Sequence, residues 1–157
     1  MKRAVLLLVV VLLIFCAGCR GGQDSFQSPG DFYYLLDEPT FGTQGQLYCV
    51  EVRETAPYGN DLSKILSDYL EGPTEDHSLS PFPAGTRLVD CSREDGALIL
   101  VLSEAFAQCT GVELILAGNC IAKTCFSLTD ADSVSIQCSH QLRDFPSGIL
   151  LFRGDLE

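Results

Sequence analysis

The chain has 157 residues, of which 46% are hydrophobic and 20% charged. That length suits a single domain, and those proportions belong to a globular protein rather than a disordered one. The formal net charge is −11, from 10 basic and 21 acidic residues. Such a surface is repelled by phosphate backbones and anionic head groups, so we expect no nucleic acid partner and no purely electrostatic attachment to a membrane. Solubility alone is a sufficient reason for the acidity.

The N-terminus has the pattern of a secretory signal. Lys2 and Arg3 are followed by an uninterrupted apolar run over residues 4–15, and the chain turns polar again after Cys19. A basic start, a short apolar stretch and small residues before the break define such a signal. The run is shorter than the ~20 residues of a membrane-spanning helix, which leaves a simple anchor helix as the alternative.

Cys19 is the predicted lipidation site. Ala17 and Gly18 directly before a cysteine resemble the bacterial lipobox, although Cys16 stands where that motif usually has an aliphatic residue. An acyl chain contributes ~0.8 kcal/mol per buried methylene, enough to hold an acidic domain at a surface that repels it. We therefore predict a signal peptide over residues 1–18, a lipidated and flexible tether over 19–30, and one domain over 31–157, anchored to the outer face of the cell membrane.

The first half of the domain predicts two strands and a helix. Residues 31–37 (DFYYLLD) and 46–53 (QLYCVEVR) are rich in aromatic and β-branched residues, as strands are. Residues 60–71 carry one helical stripe with Asn60 or Asp61 as the N-cap and Gly72-Pro73 as the stop. The stripe consists of Leu62, Ile65, Leu66, Tyr69 and Leu70. A loop over residues 74–85 follows, in which we expect Phe82 to turn its ring into the fold.

The second half predicts a hairpin, a long helix and two more strands. Strands at 86–92 and 97–102 are joined through Asp95-Gly96, a strong hairpin signal. Residues 97–102 (ALILVL) are apolar throughout, which predicts a central strand covered on both faces. Residues 110–128 form a helix in which Thr110 and Glu113 have capping-box spacing. Its stripe consists of Leu114, Ala117, Gly118, Ile121, Cys125 and Leu128. Strands at 132–138 and 148–152 complete the chain.

This order of elements predicts an α+β fold. A βαββαβ core with an extra N-terminal strand corresponds to a split β-α-β arrangement. We expect a mixed sheet with two helices packed on one of its faces.

No pattern of catalytic, metal-binding or cofactor-binding residues is present. His77 and His140 are the only histidines, and neither belongs to a recognised nucleophile or zinc motif. Ser103 follows a strand, where its hydroxyl is expected to cap the next segment. Pairs of carboxylates lie at turns without the twelve-residue calcium pattern. We therefore predict a non-enzyme without metal or cofactor.

The cysteines after Cys19 allow three interpretations. They are Cys49, Cys91, Cys109, Cys120, Cys125 and Cys138. An even number in a secreted chain is compatible with disulfides, whereas cysteines on core faces behave as small buried hydrophobes. Cys120 and Cys125 are five apart and do not share a helix face, and no C-x-x-C occurs, so zinc ranks last. We favour reduced core thiols over one or two disulfides.

The order of several short motifs resembles the GerMN domain of bacterial sporulation and spore-germination lipoproteins. These motifs are residues 69–73 (YLEGP), residues 81–86 (PFPAGT), and the strand 96–102 followed by Ser103 and Phe106. Together they cover roughly residues 31–140. The resemblance implies a non-catalytic module in a cell-envelope assembly of a spore-forming or related Gram-positive bacterium. Some proteins of this kind carry two such domains, whereas this chain has room for one.

Two functions follow as hypotheses. The first is an interaction domain that docks envelope or sporulation proteins at a membrane-tethered site. The alternative is a lipoprotein that binds peptidoglycan or a small germinant, with Pro81, Phe82 and Pro83 at the rim of the binding loop. A hydrolase is disfavoured because no nucleophile and base are recognisable in the sequence.

Overall fold

The computed structural model describes residues 29–37, 47–59 and 61–156. The predicted signal peptide, Cys19 and most of the tether lie outside these residues. The predicted α+β class is confirmed. The strands are β1 (Gly30–Leu36), β2 (Tyr48–Arg53), β3 (Ser78–Leu79), β4 (Leu88–Glu94), β5 (Ala97–Leu102), β6 (Ser133–Cys138) and β7 (Ile149–Phe152), and the helices are α1 (Leu62–Glu71) and α2 (Gly111–Leu128). Short 3-10 helices cover Ala56–Tyr58, Glu104–Gln108 and Arg153–Asp155.

The strands form two sheets where the sequence suggested one. The first sheet is antiparallel with the order β2-β1-β3, and the second is mixed with the order β4-β5-β6-β7, in which β5 and β6 are parallel. Strand β3 pairs only with Leu35 and Leu36 of β1, and side chains bond to the backbone along the rest of that edge. Thr124 Oγ1 accepts from Tyr33 N at 2.9 Å, Ser127 Oγ donates to Asp31 O at 2.6 Å, and Tyr69 Oη donates to Tyr33 O at 2.7 Å. These backbone groups are therefore satisfied without a further strand.

Helix α1 follows the sequence prediction closely. Ile65, Leu66, Tyr69 and Leu70 are buried along the predicted stripe. The Asp61 carboxylate accepts from Lys64 N at 3.2 Å as the N-cap. Gly72 ends the helix with φ of +116°, a conformation that a residue with a Cβ adopts only at a cost.

Helix α2 is buried on more sides than its stripe required. All six predicted stripe residues are buried, and so are Cys120, Ala122, Thr124 and Phe126. Its length and apolar composition would suit a membrane span, yet ten of its 18 residues are enclosed by the domain, as in a core helix. A Cβ on Gly118 would lie 3.4 Å from Ile149 Cδ1, an ordinary packing distance, so β7 packs directly against this position of the helix.

Both ends of α2 are capped by residues from the C-terminal part of the chain. The predicted capping box is wrong, because the Thr110 side chain makes no capping hydrogen bond. Gly111 N donates instead to Asp144 Oδ2 at 2.8 Å. At the other end the Arg153 guanidinium donates to Phe126 O, Thr129 O and Ala131 O at 2.8 to 3.2 Å.

The β4–β5 hairpin has the predicted turn, with Asp95 and Gly96 both at positive φ. Strand β5 is central, as expected, and Leu98, Leu100 and Leu102 are buried on its inner face. Its outer residues are only half-buried, so the prediction that both faces are covered is wrong. The β5–α2–β6 crossover places its helix on one face of the second sheet only.

Candidate functional site

The end of α1 and the Pro-rich loop meet around the ring of Tyr69. The Phe82 ring packs edge-on against Tyr69 with centroids 5.2 Å apart, and the Tyr34 ring lies 5.1 Å from Tyr69 on another side. Phe82 is 8% exposed, which confirms that its ring turns into the fold. Of the three predicted rim residues, only Pro81 and Pro83 are half-buried at the surface.

A buried carboxylate fixes the backbone that follows α1. Glu51 on β2 is 1% exposed, and its carboxylate accepts from Arg53 Nη2 at 2.6 Å, from Thr74 N and Oγ1, and from Glu75 N. Burial alone would raise the pKa of this carboxyl, but the hydrogen bonds outweigh burial and lower the pKa to about 2. Glu51 is therefore ionised in the folded protein.

Arg53 connects that carboxylate to the helix end. Its guanidinium donates to Gly72 O at 3.0 Å and lies 5.2 Å and 5.3 Å from the ring centroids of Phe32 and Tyr34. The Tyr34 hydroxyl donates to the carbonyls of Tyr69 and Gly72 at 2.9 and 3.0 Å. Burial raises the pKa of Tyr34, so its hydroxyl remains a donor. This cluster was not predicted from the sequence, in which its only sign is the placing of charges on alternate residues of β2.

Ser103 fixes the Pro-rich loop from the end of β5. Its hydroxyl accepts from Arg87 N at 3.0 Å and donates to Gly85 O at 3.3 Å, while Thr86 Oγ1 donates to Pro83 O at 2.8 Å. The predicted capping of the next segment is wrong, because Ser103 makes no side-chain cap to the 3-10 helix. Thr86 and Ser103, which belong to the motifs shared with the GerMN domain, thus hold the Pro-rich loop in place.

An open groove of about 410 Å³ lies beside the Pro-rich loop. Its apolar wall comes from Leu35, Leu116, Pro81 and Pro83, and its polar lining includes Ser80, Gln108 and Glu113. We call this feature the Pro81 groove. Apolar walls with a few polar groups suit an extended chain or a small ligand.

The histidines and carboxylates do not form a reaction centre in the described part of the chain. His77 Nε2 lies 3.0 Å from Glu75 Oε2, and both side chains are exposed. Within residues 29–37, 47–59 and 61–156, neither His77 nor His140 is hydrogen-bonded to a hydroxyl or thiol. No cluster of three or more metal-ligating side chains occurs among the same residues.

The six cysteines of the domain are free thiols. Cys49, Cys109, Cys120 and Cys125 are buried, whereas Cys91 and Cys138 are half-buried. Burial raises the pKa of Cys109 to about 11 and that of Cys120 to about 12, and it raises that of Cys125 as well. Cys109, Cys120 and Cys125 therefore stay protonated and behave as small apolar residues of the core.

Comparison with solved structures shows which fold this is. The chain superposes on the first GerMN domain of the sporulation protein GerM from Bacillus subtilis with a TM-score of 0.58 and 15% identity, over 82% of this chain and all of that domain. Against the tandem GerMN domains of the same protein the TM-score is 0.52 at 17% identity, over 85% of this chain and 47% of that structure. This chain thus spans about half of the tandem structure.

No curated protein matches the chain. A family model named Germane and described as sporulation and spore germination matches residues 31–139. The match covers most of the chain and includes the helix end, the Pro-rich loop and Ser103. The chain belongs to the Germane family of sporulation and spore-germination domains.

Proposed function

We propose that this protein is an extracytoplasmic lipoprotein whose Germane domain binds other proteins of a sporulation, germination or cell-envelope assembly. A lipid on Cys19 holds the acidic domain at the outer face of the membrane. The signal pattern before Cys19 and the family membership are independent of each other, and both support this function.

The non-catalytic part of the proposal is supported by the structural roles of the motif residues and of the Glu51–Arg53 pair. Gly72, Thr86 and Ser103 bond to the backbone of neighbouring loops or end a helix, and Glu51 and Arg53 bind each other and backbone groups. An enzyme of this size would need a nucleophile or base within hydrogen-bond reach of an open cleft. Turnover of muropeptides by the purified full-length chain would contradict the proposal.

Anchoring is tested by labelling with a fatty-acid analogue and by fractionation. Wild type is expected to take up the label and to sediment with membranes, whereas Cys19→Ala loses both properties because the acyl acceptor is gone. Cys16→Ala is the matched control and is expected to keep both. If Cys19→Ala remains labelled and membrane-bound, the anchoring proposal fails.

The Pro81 groove supports a second candidate function, the binding of a cell-wall fragment or small ligand. Its apolar wall and the Glu113 carboxylate favour a ligand with an apolar part and a cationic or hydroxyl group. Retention on purified peptidoglycan should then be lost in Leu116→Arg. Val89→Arg, on β4 and 59% exposed, is the control. Equal retention of both variants would place any binding elsewhere.

A further inference from the structure

Strand β2 forms an edge of the first sheet. The order β2-β1-β3 leaves its outer side without a strand partner in the described part of the chain. Leu36 N donates to Leu47 O, so Leu36 and Leu47 are a hydrogen-bonded pair of the β1–β2 ladder. Since such pairs alternate in an antiparallel ladder, the pairs Tyr33–Val50 and Asp31–Val52 direct their backbone groups away from the partner strand. The N–H and C=O groups of Val50 and Val52 therefore point outward at this edge.

The exposed side chains of β2 are apolar and uncharged, which leaves the strand able to pair with another strand. Val50 is 41% exposed and Val52 is 62% exposed, and neither carries a charge. Glu51 and Arg53, the charged residues of this strand, turn to the opposite face and bind each other. An edge with exposed, uncharged β-branched residues is a ready template for another strand.

Two other edges, those of β1 and β4, are protected in ways that the β2 edge is not. The free part of the β1 edge is closed by hydroxyls of Thr124, Ser127 and Tyr69. Strand β4, at the edge of the second sheet, carries charged residues and a register shift between Leu88 and Asp90. Charges and bulges are the usual means of preventing edge pairing. Within the described residues, β2 has neither on its outward-facing positions.

We propose that β2 is the docking strand for an extended segment of a partner protein, added antiparallel to Val50 and Val52. The segment carries apolar or β-branched residues at alternate positions, opposite the two valines, and basic residues at its flanks. This inference rests on the proposed docking function and assigns its surface.

Charge decides between a partner and a second copy of this chain. A second copy would bring two chains of net charge −11 together. Asp31, cross-strand from Val52, adds a carboxylate beside the edge. A segment flanked by Lys or Arg is attracted to the same surface, more strongly at low ionic strength.

The test uses a synthetic peptide, KTVTVTVK with blocked ends, and the purified full-length chain. Amide hydrogen exchange is followed by NMR. The peptide is expected to slow exchange at Val50 and Val52 in particular, and a version with Glu in place of both Lys to bind at least threefold more weakly at low salt. Protection confined to other amides overturns the proposal.

The variant Val50→Pro removes an N–H that points outward and has no hydrogen-bond partner among the described residues. We expect at least tenfold weaker peptide binding with hydrogen exchange of the core amides unchanged. Val50→Lys is expected to repel the basic peptide, whereas Val89→Lys, on the protected β4 edge, binds as wild type does. If Val50→Pro unfolds the chain, the comparison of Val50→Lys with Val89→Lys still tests the proposal.

Two results would refute the assignment directly. One is equal affinity of wild type and Val50→Lys for the peptide. The other is protection of Val50 and Val52 that rises with protein concentration without peptide, since that would identify a second copy as the occupant. Either result would leave the acylation experiment unaffected, so failure here is distinct from failure of the anchoring proposal.

Discussion

The two helices of the domain are capped in different ways. At the start of α1, Asp61 accepts from Lys64 N, and Gly72 ends the same helix, so both caps lie next to the helix in sequence. Helix α2 instead receives Asp144 at its start and Arg153 at its end, both from the segment after β6. The ends of α1 can therefore be located from neighbouring residues, whereas the caps of α2 come from residues that are distant in sequence.

Their C-terminal ends share one feature, an arginine supplied by a strand or its end. Arg53 binds the Gly72 carbonyl after α1, and its charge is balanced by buried Glu51. Arg153 binds carbonyls at the end of α2 and stacks on Phe126, with 4.8 Å between the guanidinium carbon and the ring centroid. The end of α1 therefore depends on the Glu51 carboxyl, which titrates, whereas the end of α2 depends on the Arg153 guanidinium, which does not.

Removing Glu51 should have the largest effect. In Glu51→Ala, Arg53 loses its buried partner and the N–H groups of Thr74 and Glu75 lose their acceptor. We expect a loss of about 3 kcal/mol in the free energy of unfolding, measured by urea denaturation. Glu94→Ala, at an exposed position of β4, should change it by less than about 0.5 kcal/mol. Similar values for both variants would contradict the role given to Glu51.

Acid should weaken the α1 end selectively. The pKa of Glu51 is about 2 in the folded protein, against 4.5 for the free group. A carboxyl with a lowered folded pKa stabilises the fold above its unfolded pKa, and this contribution is lost as the pH falls from about 4.5 to 2. The shift corresponds to about 3 kcal/mol. Glu51→Gln should reduce the pH dependence of the free energy of unfolding over this range. An unchanged pH slope would refute the assignment.

Removing Arg153 should cost somewhat less. Arg153→Ala leaves the carbonyls of Phe126, Thr129 and Ala131 without their charged donor, and we expect a loss of about 2 kcal/mol. Hydrogen exchange should accelerate in the last turn of α2. Arg153→Lys should recover only part of the loss, because an ammonium cannot reproduce the planar fork. Arg143→Ala, at an exposed position, is the control.

The N-caps give the smallest and sharpest comparison. Asp61→Ala should lower the stability most among the three, because it removes the only side-chain cap at the start of α1 among the described residues. Thr110→Ala should cost almost nothing, although the sequence gives Thr110 the position of a capping residue, while Asp144→Ala should cost about 0.5 kcal/mol. Thermal unfolding of the three variants measures these values. A larger loss for Thr110→Ala than for Asp144→Ala would reverse the assignment.

The same contrast explains what the sequence could predict. The stripe of α1, the Asp95-Gly96 turn and the burial of Phe82 depend on neighbours in the chain or on side-chain type, and all were predicted. The closing of the β1 edge by Thr124 joins residues 91 positions apart, and the bonds of Glu51 to Thr74 span 23. Neither has a local signature.

The candidate site was less predictable for the same reason. Pro81 and Pro83 could be assigned to an exposed loop because proline is rare inside helices and sheets. The groove beside them also needs Leu35 from β1 and Leu116 from α2, which only the folded chain brings together. The edge position of β2 likewise follows from strand order, which the residues of β2 do not reveal.

The buried thiols give the domain an internal reporter of its own opening. Cys120 and Cys125 on α2 are inaccessible and protonated, so alkylating reagents can reach them only after the helix separates from the sheets. Labelling of half-buried Cys91 and Cys138 needs much smaller excursions. The modification rates of these two classes of cysteine, followed by mass spectrometry, would therefore measure local fluctuation and global unfolding in one sample, without an added dye or tag.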